Sequence, residues 1–218
     1  MPPLLDEIPS HVGSMLVFGG TFDPPHTGHV QLPEVVRQRL GLDWVLYIPA
    51  ASPPLKDGPV ASEHQRVEML RLALEDATHA TISSAELARG GMSYTHDTLL
   101  ALHEQHPDIA LRLLIGADQA IQFHKWRNAR EIIALAEPVV MLRDDIEHAT
   151  TMADQMRDHW SDDELDSWRQ RFIPVTSVEC SSTALRRGLS NPDGHASDLA
   201  RYLGNSVLGY IRANSVYA

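Results

Sequence analysis

The chain has 218 residues and a formal net charge of −11, from 18 Lys and Arg against 29 Asp and Glu. Its 43% hydrophobic and 22% charged content excludes wholesale disorder and suits one globular domain, or one domain with an added lobe. No window approaches about 18 uninterrupted apolar residues, so no membrane span is expected, and the acidic balance argues against nucleic-acid or anionic-membrane partners.

Residues 1–13 read as an N-terminal extension without the apolar run of a signal peptide, which together with a single cysteine, Cys180, points to a reducing, cytoplasmic setting. Cys180 has no histidine beside it in sequence and reads as a small buried residue rather than a nucleophile. Met15 to Phe18 is an apolar run ending at Gly19-Gly20, which predicts a buried strand entering a loop. The string from Gly19 to His29 reads Gly-Gly-Thr-Phe-Asp-Pro-Pro-His-Thr-Gly-His. Its two leading glycines let backbone amides approach an anion closely. His26 and His29, three apart at a helix start, share a face near the positive end of the dipole. Gly28 between them leaves room for a ligand. The string is neither a P-loop nor a dinucleotide fingerprint. Taken singly, each histidine could be structural, and a pair at this spacing could bind metal; as one string it suits a polyphosphate.

Residues 26–40 have helical spacing with Gly41 as a stop, and Pro33 predicts a kink or local unwinding. Trp44 to Ile48 reads as a second strand, followed by a proline-rich loop over 50–59 that carries Lys56. Ser62-x-x-Gln65 is a capping box opening a helix. A short strand is expected over 80–84, and Ser93 reads as the N-cap of a helix over 94–105. Strands follow over 109–115, 138–142 and 172–178, with helices from Ser181 onward. Between Asp144 and Arg171 stand nine acids and three arginines, a pattern of one or two exposed, solvated helices inserted after a strand. Strands alternating with helices imply βαβ units and a parallel sheet, with ligands at the carboxyl ends of the strands.

The Gly19–His29 string resembles the nucleotidyltransferase superfamily with the His-x-Gly-His signature. Five further motifs narrow the resemblance to bacterial nicotinate-mononucleotide adenylyltransferases: Pro49-x-x-x-Pro-Pro-x-Lys56, Ser93-Tyr-Thr-x-x-Thr98, Ile115-Gly-Ala-Asp118, Phe123-x-x-Trp126 and Ser181-Ser-Thr-x-Leu-Arg186. The resemblance implies an α/β fold, a Rossmann-like parallel sheet flanked by helices. The main domain would span 14–180, with the acidic helical segment at about 144–171. A small C-terminal helical lobe over 181–218 would carry the last motif. It implies adenylyl transfer from ATP to nicotinate mononucleotide, giving deamido-NAD and pyrophosphate, with Mg²⁺ carried on the ATP phosphates and no metal site on the chain.

By the same resemblance, His26, His29, Lys56 and Arg186 would carry catalysis. Gly19, Gly20, Thr21, Phe22, Gly28, Asp118, Ser181, Ser182 and Thr183 would line the ATP and phosphate site. Tyr94, Thr95, Lys125 and Trp126 would form the nicotinate pocket, with the Trp126 indole stacking on the pyridine ring. One departure stands beside Lys56: Leu55 occupies a position where the family pattern usually has histidine. Rival readings are the same chemistry on nicotinamide mononucleotide or phosphopantetheine, and a non-catalytic nucleotide sensor, against which both histidines count. A homo-oligomer is compatible with the sequence.

Overall fold

A computed structural model describes residues 8–52, 58–143, 151–152, 154–176, 178, 180–190 and 196–217. Leu55 and Lys56 lie outside these residues. Six strands form one sheet: β1 (Ser14–Gly20), β2 (Trp44–Pro49), β3 (Ala80–Ile82), β4 (Ala110–Gly116), β5 (Glu137–Arg143) and β6 (Phe172–Val175). Their order is β3-β2-β1-β4-β5-β6, and every pairing is parallel. The chain therefore winds outward from β1 to β3, then returns to lay β4 on the other side of β1. That reversal opens a crevice at the carboxyl ends of β1 and β4, the position where open α/β sheets bind ligands.

The inner strands are apolar on both faces because both faces are covered. On one side Met15, Val17, Leu46, Ile48, Leu113, Ile115 and Val140 pack with residues of α4 (Thr95–Gln105), α5 (Ala117–Ile121), α6 (Ala129–Leu135) and α7 (Asp162–Gln170). On the other, Leu16, Phe18, Val45, Tyr47, Leu114 and Val139 meet Val36 of α1 (Thr27–Leu40) and Leu70 of α2 (Glu63–Ala73). Consecutive residues of β1 alternate between the two clusters, as the period of a strand demands. A third cluster lies beyond α2. There Ala61 and Met69 pack with Leu185 of α8 (Ser182–Leu189), Leu203 of α9 (Ala196–Leu203), Val207, Leu208 and Ile211 of α10 (Asn205–Ala213), and Tyr217. Cys180 is half-buried at its edge.

Three local expectations change in the structure. Helix α1 runs unbroken through Pro33. Proline has no N–H to offer the carbonyl four residues back, and that carbonyl, on His29, accepts instead from the buried Tyr47 hydroxyl at 3.1 Å. Ser93 is not the cap of α4; Tyr94 holds that position, while Ser93 Oγ accepts from the Ala51 amide at 2.9 Å and so ties the start of α4 to the loop after β2. The acidic stretch after β5 is the crossover to β6, and its apolar side is not solvated. Met152, Met156, Trp160, Leu165 and Trp168 are buried in the first cluster, while Asp162, Asp163 and Glu164 sit in the first turn of α7, where the helix dipole favours negative charge.

Candidate active site

Gly19 and Gly20 end β1, and the loop that follows is shaped from within. Phe22 has φ 51° and is 1% exposed, its ring turned down among Phe18, Tyr47 and His29. A β-carbon on Gly20 would lie 2.8 Å from that ring, so Gly20 is there to admit Phe22. Gly19, by contrast, is exposed, with open space where a β-carbon would stand. Only the backbone of Phe22 remains to face a ligand.

His26 caps α1 and His29 stands one turn in. Their rings stack at 3.8 Å between centroids, 29° apart in plane. The His26 backbone N–H donates to His29 Nδ1 at 3.3 Å, which makes Nδ1 an acceptor and leaves Nε2 as the nitrogen that carries the proton. Phe22 presses edge-on against the His29 ring at 5.2 Å. Gly28 gives room to its neighbour. A β-carbon there would meet the His26 ring at 3.1 Å, so glycine at this position admits that ring.

Helix α8 is docked onto this loop. Ser182 Oγ donates to the Pro24 carbonyl at 2.9 Å, and Arg186 Nη1 donates to the Asp23 carbonyl at 2.5 Å. The other hydroxyls of the motif serve the helix: Ser181 Oγ caps it by accepting from the Ala184 amide, and Thr183 Oγ1 accepts from Arg186 Nη2. These bonds tie the start of α8, with the half-exposed Arg186, to the loop that leads into the histidines.

Hydrogen bonds and ring contacts link several of the remaining motifs. The Ala50 amide donates to the Gly20 carbonyl, and the neighbouring Ala51 amide reaches Ser93. Tyr94 and Thr95 follow, both half-buried at the start of α4. The guanidinium of Arg127 lies 4.9 Å over the Tyr94 ring and donates to Asp97 at 3.1 Å. Next to Arg127, Trp126 stacks on Phe123 at 4.9 Å and 29°. The spacing works because residues 123–125 form a 3₁₀ turn, in which positions i and i+3 eclipse. Phe123 is fully buried, Trp126 is half-buried, and Lys125 points off that face and is exposed. Thr98 is structural: it donates to Glu86 and accepts from Arg89, both on the short helix α3 (Ala85–Arg89). At the end of β4, Gln119 closes the cap on the Gly116 amide, which leaves Asp118 exposed with its carboxylate above Gly116, where a β-carbon would meet it at 2.8 Å.

Sequence reasoning missed Asp23, Tyr47, Arg66, Arg127 and Tyr217. Asp23 stands inside the quoted string, yet nothing local marked it as buried. Its carboxylate accepts from Val60 N, Ala61 N and the Tyr217 hydroxyl. Arg66 has 0% exposure and donates to the Thr21 carbonyl at 2.8 Å, while its Nε and Nη2 are buried without a hydrogen-bond partner among the described residues. Burial lowers its pKa, and the Asp23 charge opposes that shift. Among the described residues no group of three histidines, cysteines or acids has the placement of a metal site.

The sequence profile of the cytidylyltransferase-like family matches residues 17–188. A protein of Acidithiobacillus ferrooxidans named "Probable nicotinate-nucleotide adenylyltransferase" is 36% identical over 215 residues, covering 93% of this chain and 95% of that one. One of the same name from Rhodopirellula baltica is 38% identical over 176 residues, 80% and 81% of the two chains. In fold, the chain is similar to the Plasmodium falciparum nicotinic acid mononucleotide adenylyltransferase. The structure complexed with APC superposes with a TM-score of 0.70 at 14% identity, over 94% of this chain and 97% of that one. The structure complexed with NaAD gives 0.69 at 15%, over the same shares.

Proposed function

The chain belongs to the cytidylyltransferase-like family, and on that premise we infer that it joins ATP and nicotinate mononucleotide into deamido-NAD, releasing pyrophosphate, as an enzyme of NAD synthesis. The observation that carries this reading is the junction of α8 with the Gly19–His29 loop through Ser182–Pro24 and Arg186–Asp23. It unites two phosphate-binding devices, separated by some 160 residues of chain, at the switch point of the sheet.

In the reaction, a phosphate oxygen of nicotinate mononucleotide attacks the α-phosphorus of ATP, and the bond to the β-phosphate bridging oxygen breaks. Such displacements need positioning and charge neutralisation more than covalent help. His29, with its proton on Nε2, donates to an α-phosphate oxygen as charge develops there, and Nδ1 is held in the acceptor role by the His26 amide. His26, stacked on it, and the first-turn amides of α1 lie along the triphosphate. Arg186 and the start of α8 take the β- and γ-phosphates, the leaving group. Lys56 adds a further charge. Mg²⁺ enters with ATP as part of the substrate and neutralises phosphate charge. Asp118 accepts from ribose hydroxyls at the end of β4. Trp126, backed by Phe123, stacks on the pyridinium ring, and Thr95 hydrogen-bonds the nicotinate carboxylate beside Tyr94. The single cysteine fits a reducing cytoplasmic setting.

The test is direct. Purified protein with Mg²⁺, ATP and nicotinate mononucleotide releases pyrophosphate; no release overturns the reading. Parallel assays with nicotinamide mononucleotide and phosphopantetheine rank the acceptors, and a carboxylate-reading pocket gives the nicotinate compound the highest kcat/KM.

A further inference from the structure

Asp23 is 3% exposed and touches no substrate in the scheme above. Its carboxylate gathers donors from distant parts of the chain. Oδ2 accepts from Val60 N at 2.8 Å; Oδ1 accepts from Ala61 N at 3.1 Å and from the Tyr217 hydroxyl at 2.6 Å. Arg186 approaches Oδ2 only to 3.7 Å, its shorter bond going to the Asp23 carbonyl. Tyr217 is fixed in turn. Ser190 Oγ donates to its carbonyl at 2.9 Å, and its backbone holds φ 71°, a left-handed conformation that persists in a side-chain-bearing residue only where the surroundings enforce it.

We propose that Tyr217 is a positioning residue for adenylyl transfer: its hydroxyl satisfies Asp23 so that Arg186 stays directed at the substrate phosphates. A buried carboxylate accepts several hydrogen bonds and is costly to leave short of donors. Of the two cations beside Asp23, Arg66 is fully buried and bonded to the Thr21 carbonyl, and the one whose guanidinium reaches solvent is Arg186. Without the phenol it closes its 3.7 Å approach into a paired, charge-assisted contact with Asp23, and every N–H committed there is lost to phosphate. A neutral hydroxyl supplies the missing donor without using up a cation. Burial and the Asp23 charge push the Tyr217 phenol well above its ordinary pKa, so it remains a donor throughout the working pH range.

The inference rests on the adenylyltransferase reading, and kinetics separate the two. Steady-state rates are measured with each substrate varied, for the unaltered protein, Tyr217→Phe, Arg186→Ala and the double variant, each checked by thermal melting. Tyr217→Phe is expected to lower kcat/KM for ATP by about tenfold to hundredfold, the worth of a hydrogen bond to a charged group. It should leave KM for nicotinate mononucleotide within about twofold and add nothing once Arg186 is alanine. A tyrosine that merely stabilised the fold would depress both substrates together, and its effect would multiply with that of Arg186→Ala. That outcome, or a kcat/KM for ATP within about threefold of the unaltered protein, overturns the proposal. If Tyr217→Phe does not fold, Ser190→Ala, which loosens the Tyr217 backbone, carries the same comparison with the same criteria. Absence of turnover in the unaltered protein would defeat the parent reading alone; the coupling is then read from ATP affinity by calorimetry, where the same non-additivity is expected.

Discussion

His29 is held on every side that a ligand does not need. Its carbonyl takes the Tyr47 hydroxyl, its Nδ1 takes the His26 amide, and its ring lies between His26 and Phe22. His29→Ala removes the donor assigned to the α-phosphate, and kcat is expected to fall by about hundredfold or more. A loss below about tenfold, some 1.4 kcal/mol, would remove His29 from that role. Tyr47→Phe leaves the His29 carbonyl without its donor, and urea unfolding should register about 1 kcal/mol of lost stability. Burial pushes the Tyr47 phenol well above its ordinary pKa, so this bond persists across the neutral range. At this scale the sequence was partly legible. The two histidines and their glycines share one eleven-residue string, so their closeness in space could be read there. The reasons for Gly20 and Gly28 could not, because they depend on where the Phe22 and His26 rings turn. Asp23 and Tyr217, 194 positions apart, carry no local sign of each other.

The elements were more legible than their ends. Apolar runs marked the four inner strands, whose two faces are covered, better than the short edge strand β3, and Ser62-x-x-Gln65 formed the capping box it spelled. Ser62→Ala is expected to cost about 1 kcal/mol in chemical denaturation. The acidic crossover was the harder case. Its charges dominate the segment, and the helix they announced kept its buried side hidden: Trp168 is fully buried against Phe123, with ring centroids 5.1 Å apart at 70°. Trp168→Ala should cost about 3–5 kcal/mol of stability by denaturant melts. Because Phe123 supports Trp126, the same variant should raise KM for nicotinate mononucleotide. An unchanged KM would show that the crossover supports the fold and not the pocket.

For the molecule as a whole, the net charge of −11 is accommodated in part by pairing, as several of the described acids show. Glu34 and Glu68 are held below the usual carboxylate range chiefly by hydrogen bonds from Arg37 and Arg71, Glu164 by Arg130, and Asp43 by the Gly13 amide. His124, stacked on His159 at 3.6 Å, is also lowered, by burial first and then by that neighbour. In each case the unfolded chain binds protons more readily than the folded one, so acid favours unfolding. The contribution of His124 is complete above about pH 6.5 and lost as pH falls through its folded value; those of the carboxylates are complete above about pH 4.5 and lost below. Melting temperature should therefore be level near neutrality, fall gently below about pH 6.5 and steeply below about pH 4, with His159→Gln flattening the first decline. A midpoint that rose on acidification from neutrality would contradict this assignment.

The knot of contacts at Asp23 has a kinetic corollary. It gathers residues 23, 60, 61, 186 and 217, so it closes loops that span most of the polypeptide. Contacts of such long sequence separation form late, after local helices and neighbouring strands have already condensed. During refolding from denaturant, the helical signal should return ahead of enzymatic turnover, and turnover should report the moment at which the last segments lock. A chain that has collapsed but not closed this knot would look folded to a spectrometer and remain inert towards ATP.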